Sequence, residues 1–144
     1  MPNRPVSKVV ENRVFVTVPL DLPVSEAAKL MQTQGVAAVL VVEDGRLAGI
    51  CTERDLVVDV LAADLDARRT PVSAVMTADP VSVGAEMPFG HALHLMFEGG
   101  FRHVPVLNQA GALLGVVSVR DALALDVVRF QEELRMREAL AEIL

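Results

Sequence analysis

The order of apolar and polar residues along the chain predicts the same set of elements twice. Paired apolar runs in each half predict buried strands, joined as hairpins by turns that contain Gly45 or Gly111. Before each hairpin, an apolar stripe at helical spacing ends at a glycine and predicts a helix. The predicted strands are residues 14–18, 37–42, 47–51, 81–83, 104–107 and 113–117, and the predicted helices are residues 24–34 and 89–98, with closing helices from Glu53 and Val119. Each half is therefore a β-α-β-β-α unit.

The two halves repeat one sequence pattern. PVSKVV returns as PVSAVM and GICTERD returns as GVVSVRD, at an offset of 66 residues. A unit of this size is small for an independent domain, so we expect the two copies to pack on each other. The predicted fold is α+β, built from two α/β repeats that form an intramolecular pseudo-twofold pair. We place the first repeat at residues 5–66 and the second at residues 70–128.

Residues 129–144 have no counterpart after the first repeat and predict a C-terminal extension of the last helix. Apolar residues continue along it in a drifting stripe that includes Leu134, Leu140 and Ile143. Two alternatives stay open: the helix caps its own repeat, or it packs on a second subunit.

Composition and charge exclude several classes of function. There are 13 Lys and Arg against 19 Asp and Glu, a net charge of −6, which argues against binding to nucleic acid. No apolar run can span a bilayer and no signal-peptide core is present, so we expect a soluble, cytoplasmic protein without a membrane contact. The single cysteine, Cys51, excludes an internal disulfide. Including glycine, about 58% of residues are apolar, above the usual range of about 45–50%, and this surplus predicts a self-association surface.

The most informative motif is Gly-apolar-x-Thr/Ser-x-x-Asp, which lies where a buried strand ends and a helix begins. Free backbone N–H groups at such a junction favour an anion. The hydroxyl can cap the helix or donate to phosphate, the carboxylate can accept from a ribose diol, and the arginine can pair with phosphate. These candidate residues are Thr52, Arg54 and Asp55 in the first copy and Ser118, Arg120 and Asp121 in the second.

Three longer stretches resemble CBS domains, which occur in tandem as Bateman modules. They are PVSAVMTADPVSV, LMQTQGVAAVLVVEDGRLAGICTERD and LMFEGGFRHVPVLNQAGALLGVVSVRD, and the resemblance covers about residues 5–128. It implies a regulatory module that binds an adenosine-containing ligand in a cleft between the repeats. AMP, ADP and ATP are the expected ligands, with S-adenosylmethionine or NAD as alternatives, and no cofactor is required.

The resemblance also implies roles for individual residues. The two motif aspartates would hold ribose hydroxyls, and Thr52 and Ser118 would contact phosphate. Residues 13–15 and 78–81 would frame the adenine; the second of these segments includes Asp79 and Val81.

The two copies differ beside their motifs. Arg102 and His103 precede a strand of the second copy and could add positive charge near a phosphate, whereas Glu53 in the first motif would repel it. We therefore expect the second motif to form the better site, so that Asp121→Ala weakens binding more than Asp55→Ala.

Other readings remain beside the nucleotide sensor. The paired motifs could serve only as helix caps in a ligand-free interaction scaffold. An enzyme is not indicated, because we find no pair of nucleophile and base, no metal cluster and no glycine-rich phosphate loop in the sequence. His91 and His94 lie at i,i+3, which is more typical of a solvated helix face than of a metal site, and Cys51 is expected to be a buried structural thiol.

We also expect a homodimer built from the helices of both repeats, because a twofold interface would bury the apolar surplus and the C-terminal stripe together. The output would then act in trans on an effector protein that the sequence does not identify.

Overall fold

Each repeat folds into a small sheet flanked by helices in a computed structural model that describes residues 3–143, apart from the side chain of Leu125. Leu144, the end of the predicted extension, and residues 1–2 lie outside the described residues. The first half contains α1 (Val6–Val9), β1 (Thr17–Val18), α2 (Val24–Gln34), β2 (Ala38–Glu43), β3 (Arg46–Thr52) and α3 (Glu53–Asp55), which continues as a π-helix over Leu56–Leu61. The second half contains a 3₁₀ turn (Val72–Ala74), β4 (Thr77–Ala78), β5 (Val83–Gly84), α4 (Phe89–Gly99), β6 (His103–Leu107), β7 (Leu113–Ser118) and α5 (Val119–Ile143).

The two sheets have matching topology, which confirms the predicted α+β fold of two repeats. In the first sheet β1 runs parallel to β2, and β2 is antiparallel to β3. In the second sheet β5 runs parallel to β6, and β6 is antiparallel to β7. Glycines in the left-handed conformation, Gly35 and Gly100, end the two helices that precede the hairpins, as the sequence predicts.

One local prediction is wrong, and two further features were not predicted. The first strand of each repeat has only two residues in a ladder, because the chain before it runs beside the opposite repeat. The short strand β4, which was not predicted, pairs antiparallel with β3 across the repeat boundary. The closing helix of the first repeat widens into a π-helix, in which Ala62 N–H donates to the carbonyl of Val57 at 2.9 Å.

The helical turns that precede the repeats are exchanged between them. Val6 and Val10 lie at the N-terminus of the first repeat but pack in the core of the second. Val72 and Val75 lie at the start of the second repeat and pack in the core of the first. Each core is therefore completed by the other half of the chain, and separating the repeats would expose buried apolar surface in both.

Backbone hydrogen bonds hold both exchanged turns in equivalent ways. The Val6 N–H donates to the carbonyl of Met87 and the Val72 N–H donates to the carbonyl of Leu22, each at 2.8 Å. The equivalence is the pseudo-twofold relation that the sequence repeat predicts.

A third apolar cluster joins the two sheets directly. Leu40 and Ile50 of the first sheet are buried against partly buried side chains of the second, Leu113 and Val116, with Phe15 at the same contact. The clefts described below lie between the two repeats.

The last helix extends well beyond the second repeat. All described side chains from Leu123 to Ile143 are exposed, including large apolar ones such as Phe130 and Leu134. Within residues 3–143, no helix is both long and apolar enough to cross a membrane.

Candidate functional site

The first motif forms a capping box at the junction of β3 and α3. The Asp55 N–H donates to the Thr52 hydroxyl oxygen at 3.3 Å, and the Thr52 N–H donates to Oδ2 of Asp55 at 2.8 Å. These reciprocal bonds satisfy two backbone donors that a helix start leaves free. Among the described residues, no donor is bound to Oδ1 of Asp55, so one carboxylate oxygen is available to a ligand.

The second motif has the same aspartate bond but an additional partner. The Ser118 N–H donates to Oδ2 of Asp121 at 2.8 Å. The other oxygen, Oδ1, accepts from the guanidinium of Arg13, which lies before β1 of the opposite repeat. The Asp121 side chain is only 8% exposed. This carboxylate is therefore already occupied at both oxygens.

The first motif lines a cavity of about 590 Å³. Three segments meet there: the motif itself, the chain that leads from β4 to β5, and the junction between α4 and β6. The residues are Ala37, Ile50, Thr52, Glu53, Arg54, Asp55, Thr77, Asp79, Pro80, Val81, Gly100, Phe101, Arg102 and His103. Below, this space is called the first cleft.

The second motif lines a smaller cavity of about 340 Å³, called the second cleft. It is built in the same way, from the second motif, the chain before β1 and the junction between α2 and β2. The residues are Arg13, Val14, Phe15, Gly35, Val36, Ala37, Ala38, His103, Gly115, Val116, Ser118, Arg120, Asp121 and Ala124.

A third cavity, of about 640 Å³, lies between the hairpin turns at Gly45 and Gly111 and contains neither motif. Its size is close to that of the first cleft, but it lacks the strand-to-helix junctions that could receive an anion. We therefore place the candidate site at the two motif clefts.

The structure brings all ten sequence-predicted site residues to these two clefts but corrects their grouping. Arg102 lines the first cleft and does not line the second, and His103 lines both. The prediction that Arg102 supports the second motif is wrong, because each cleft combines the motif of one repeat with the α–β junction of the other. Asp79 and Val81 lie in the first cleft, beside the first motif.

Sequence reasoning missed Phe101 of the first cleft, whereas Pro80 lies in the segment 78–81 that was expected to frame the adenine. Phe101 had a signal, because it opens the FRHVP segment that contains Arg102. Exposed valines also line the clefts, with Val81 47% and Val14 63% exposed. An apolar side chain that is half open to water inside a cleft provides a surface on which a flat ring can pack.

His103 differs from the sequence-based expectation in its charge. Burial lowers the pKa of the imidazole below its ordinary value of 6.5 and outweighs the opposing effect of Glu53 and Asp121, while Arg102 lowers it further. The imidazole is therefore neutral at pH 7, so in the structure it offers hydrogen bonds to a phosphate and no positive charge.

The charged residues give the two clefts opposite signs. The first cleft has Glu53, Asp55 and Asp79 against Arg54 and Arg102, a net charge of −1. In the second cleft, two arginines face Asp121, giving a net charge of +1.

Three residues that the sequence left outside the site remain outside it. Burial, with Asp55 as a secondary cause, raises the pKa of Cys51 to about 12, so its thiol is not a nucleophile at neutral pH and the predicted buried thiol is confirmed. His94 Nε2 lies 3.1 Å from Oε1 of Glu98 on an exposed face that also carries His91. In the part of the chain that the structure describes, no three His, Cys, Asp or Glu side chains converge as metal ligands would.

Comparison with known proteins places this geometry in a family. The model of the CBS domain matches residues 6–61 and 72–141. A 17.7 kDa protein of Acidianus ambivalens is 36% identical over 117 residues, which cover 81% of this chain and 69% of that protein. Other curated relatives are longer: the chain spans 20% of one from Arabidopsis thaliana and 13% of one from Schizosaccharomyces pombe.

Solved structures share the arrangement of repeats. A protein with CBS domains from Burkholderia ambifaria superposes with a TM-score of 0.79 at 32% identity, covering 87% of this chain and 95% of that one. A CBS domain protein from Pyrobaculum aerophilum, solved in complex with AMP, has a TM-score of 0.75 at 25% identity and covers 88% of this chain and 99% of that one. With two matched repeats, exchanged turns and paired strand-to-helix motifs, the chain belongs to the CBS-domain family as a tandem pair.

Proposed function

We propose that the chain is a regulatory module that binds an adenine nucleotide in the first cleft and signals to a partner protein. The observation that supports this most directly is the free carboxylate oxygen of Asp55, held by a capping box in a cavity that also contains Arg102. A carboxylate that is positioned before a ligand arrives spends little entropy on binding it.

Each part of a nucleotide has a matching group in the first cleft. Oδ1 of Asp55 would accept from a ribose hydroxyl. Arg102 would pair with the phosphate, and the Thr52 hydroxyl, whose oxygen already accepts from Asp55 N–H, keeps its proton to donate to the phosphate. Val81 and Pro80 would pack on the adenine.

The second cleft is proposed to bind nucleotide more weakly or not at all. Arg13 occupies the oxygen of Asp121 that corresponds to the free oxygen of Asp55, and a ribose would have to displace this ion pair. The expected ranking is therefore the reverse of the one that the sequence alone suggested.

The charge of the first cleft favours a ligand with few phosphates. Each phosphate beyond the first adds negative charge in a cavity that contains Glu53 and Asp79. We therefore rank AMP ahead of ADP and ATP. The AMP-bound relative from Pyrobaculum aerophilum supports this choice of ligand.

Titration calorimetry with AMP, ADP, ATP, S-adenosylmethionine and NADH tests the proposal, with CMP as a control of equal charge. We expect AMP to bind with a dissociation constant in the micromolar range, about −8 kcal/mol, and more tightly than ATP. The chain has no Trp or Tyr, so nucleotide retained through purification would dominate the absorbance near 260–280 nm. Absence of heat and of any thermal shift with all five ligands would contradict the proposal.

That negative result would favour the second candidate, a ligand-free interaction scaffold. One observation supports it: the bonds between Thr52 and Asp55 satisfy the start of α3, so both residues have a structural role that needs no nucleotide. The two candidates differ in whether substitution of Asp55 changes only stability or also ligand affinity.

Self-association through the repeat helices is part of the proposed function. The π-helix exposes Val57 and Leu61, at 55% and 74%, and α4 exposes Phe97 at 87%. The outer face of α2 carries polar residues instead. We therefore propose a homodimer through the π-helix of the first repeat and α4. Light scattering at micromolar concentration should give at least twice the chain mass of 15.5 kDa, and Leu61→Glu should lower it. A wild-type mass of one chain would exclude this homodimer.

A further inference from the structure

The free part of α5 carries an apolar seam that no other part of the described chain covers. Leu123, Val127, Phe130 and Leu134 follow one another at spacings of 4, 3 and 4 residues, so they lie on one side of the helix. They are 42–61% exposed. From Asp121 to Ile143 the helix extends for about 33 Å at 1.5 Å per residue.

A second apolar group on α5 lies on a different side. Met136, Leu140 and Ile143 are spaced by 4 and 3 residues and are at least 59% exposed. Two residues along a helix correspond to a rotation of about 200°, so Met136 faces away from Leu134. The seam and this second group are therefore separate surfaces, and each can be altered without the other.

We propose that the seam is covered by the same helix of a second copy of this chain, running antiparallel. Phe130 of one copy would pack against Leu134 of the other, and the reverse contact would occur by twofold symmetry. This contact is separate from the dimer surface proposed on the π-helix and α4, and it does not depend on nucleotide binding.

Charge distinguishes the antiparallel pair from a parallel one. In a parallel pair in register, Arg137 continues the seam and would face the same arginine of the second copy. Glu133 would lie beside Glu138 of that copy, again a like-charge contact. Both contacts occur at the interface and both disfavour the parallel arrangement.

In the antiparallel pair most of these charges meet partners of opposite sign, and the one like-charge contact is between Glu133 and Glu133 of the second copy near the twofold axis. With Phe130 against Leu134, Arg137 falls beside Asp126 of the second copy. Arg129 comes within reach of Glu133 of that copy, and each of these two pairs occurs twice by symmetry.

The length of the helix fits this register. When Phe130 is opposite Leu134, Ile143 lies level with Asp121 of the second copy. At Asp121 the helix α5 leaves the repeat, and from there its side chains change from buried to exposed. The overlap then uses the whole free helix and ends at the body of the other chain.

Cysteine cross-linking tests the orientation. Phe130→Cys and Leu134→Cys are made separately, one with a size tag, and are oxidised with copper phenanthroline alone and after mixing. Cys51 is buried with a raised pKa, so it adds little background. The antiparallel pair predicts that the mixed sample forms the tagged–untagged disulfide several-fold faster than either variant links to itself. Self-linking of each variant at the faster rate would overturn the proposal, because it is the result for a parallel pair.

Matched substitutions test whether the seam itself associates. In a Leu61→Glu background, which removes the dimer proposed on the π-helix and α4, Phe130→Glu should weaken the remaining self-association by at least about 30-fold, as expected for a central interface residue, while Met136→Glu, of similar exposure on the other side, should leave it unchanged. Both residues are exposed in the single chain (60% and 68%), so circular dichroism should show the same fold for both variants, and AMP titration reports separately on the nucleotide proposal. Equal effects of the two substitutions, or no effect of Phe130→Glu together with no cross-linking, would overturn the antiparallel pair.

Discussion

Replacing Asp55 by asparagine should weaken AMP binding more than the same change at Asp121. The amide oxygen of asparagine can still accept the Thr52 N–H, which Oδ2 of Asp55 accepts at 2.8 Å, so the cap is largely retained. What is lost is the negative charge of the oxygen that is free to accept from ribose. Hydrogen bonds to a charged group contribute about 1.5–3 kcal/mol. Losing this contribution should raise the dissociation constant for AMP by about 10- to 150-fold.

The matched variant, Asp121→Asn, alters a carboxylate that Arg13 already pairs with in the second cleft. We expect it to change AMP affinity by less than about threefold, because the first cleft is untouched. It should instead lower the unfolding temperature, since it removes the charge of a buried carboxylate that is paired with the half-exposed Arg13.

Calorimetric titration of both variants with AMP, at one pH and one ionic strength, measures the difference. Thermal unfolding without ligand separates a loss of affinity from a loss of fold. A larger loss of affinity in Asp121→Asn would refute the reasoning, because it would mean that nucleotide displaces Arg13 and uses the second cleft. Equal losses would mean that the free oxygen of Asp55 gives the first cleft no advantage.

Three other outcomes follow from the structure. Gly115→Ala should destabilise the fold by about 1–3 kcal/mol, because the new Cβ would lie 2.8 Å from Cβ of Val10 in the exchanged turn; chemical denaturation of this variant, of Val10→Ala and of the double variant should show that the two changes are not additive. Burial lowers the pKa of His103, so the unfolded chain takes up a proton at a higher pH than the folded chain does. The free energy of unfolding should therefore fall as the pH drops below about 6.5 and then level off. His103→Gln should flatten this part of the pH profile, and an unchanged profile would contradict the assignment. The Cys51 thiol should react with a disulfide reagent at pH 8 only after denaturation, since its pKa is about 12 in the folded chain, and rapid reaction of the native protein would show that the strand opens.

Much of the fold could be predicted from the sequence because its signals are local. Helix α2 has the predicted bounds, and the hairpins of both repeats lie within a residue or two of the predicted strands. Stripes at helical spacing, apolar runs and glycines with positive φ act within a few residues, so one sequence suffices to identify them. The sequence repeat doubled each signal.

The π-helix at Leu56–Leu61 could not be predicted in the same way. Its residues have the composition of an ordinary apolar helix, and the change from i,i+4 to i,i+5 bonds has no residue signature here. The short strand β4 was missed because two residues do not form a periodic pattern, and its partner β3 belongs to the other repeat.

The candidate site shows the same division. The motifs identified Thr52, Asp55, Ser118 and Asp121, since capping chemistry depends on residues three positions apart. Which segments face each motif depends on how the repeats pack. Sequence reasoning therefore placed Arg102 beside the second motif, whereas it lies beside the first.

The sequence by itself determined that the chain is a pair of α+β repeats with two strand-to-helix motifs, because propensity, periodicity and capping are properties of neighbouring residues. Only the tertiary structure decided that a helical turn of each repeat packs in the core of the other, that Arg102 faces the first motif, and that Arg13 pairs with Asp121. Arg13 and Asp121 are separated by 108 residues, and contacts at that distance arise when buried apolar surface brings the two repeats together. The same packing makes the two clefts unequal although their motifs are nearly the same.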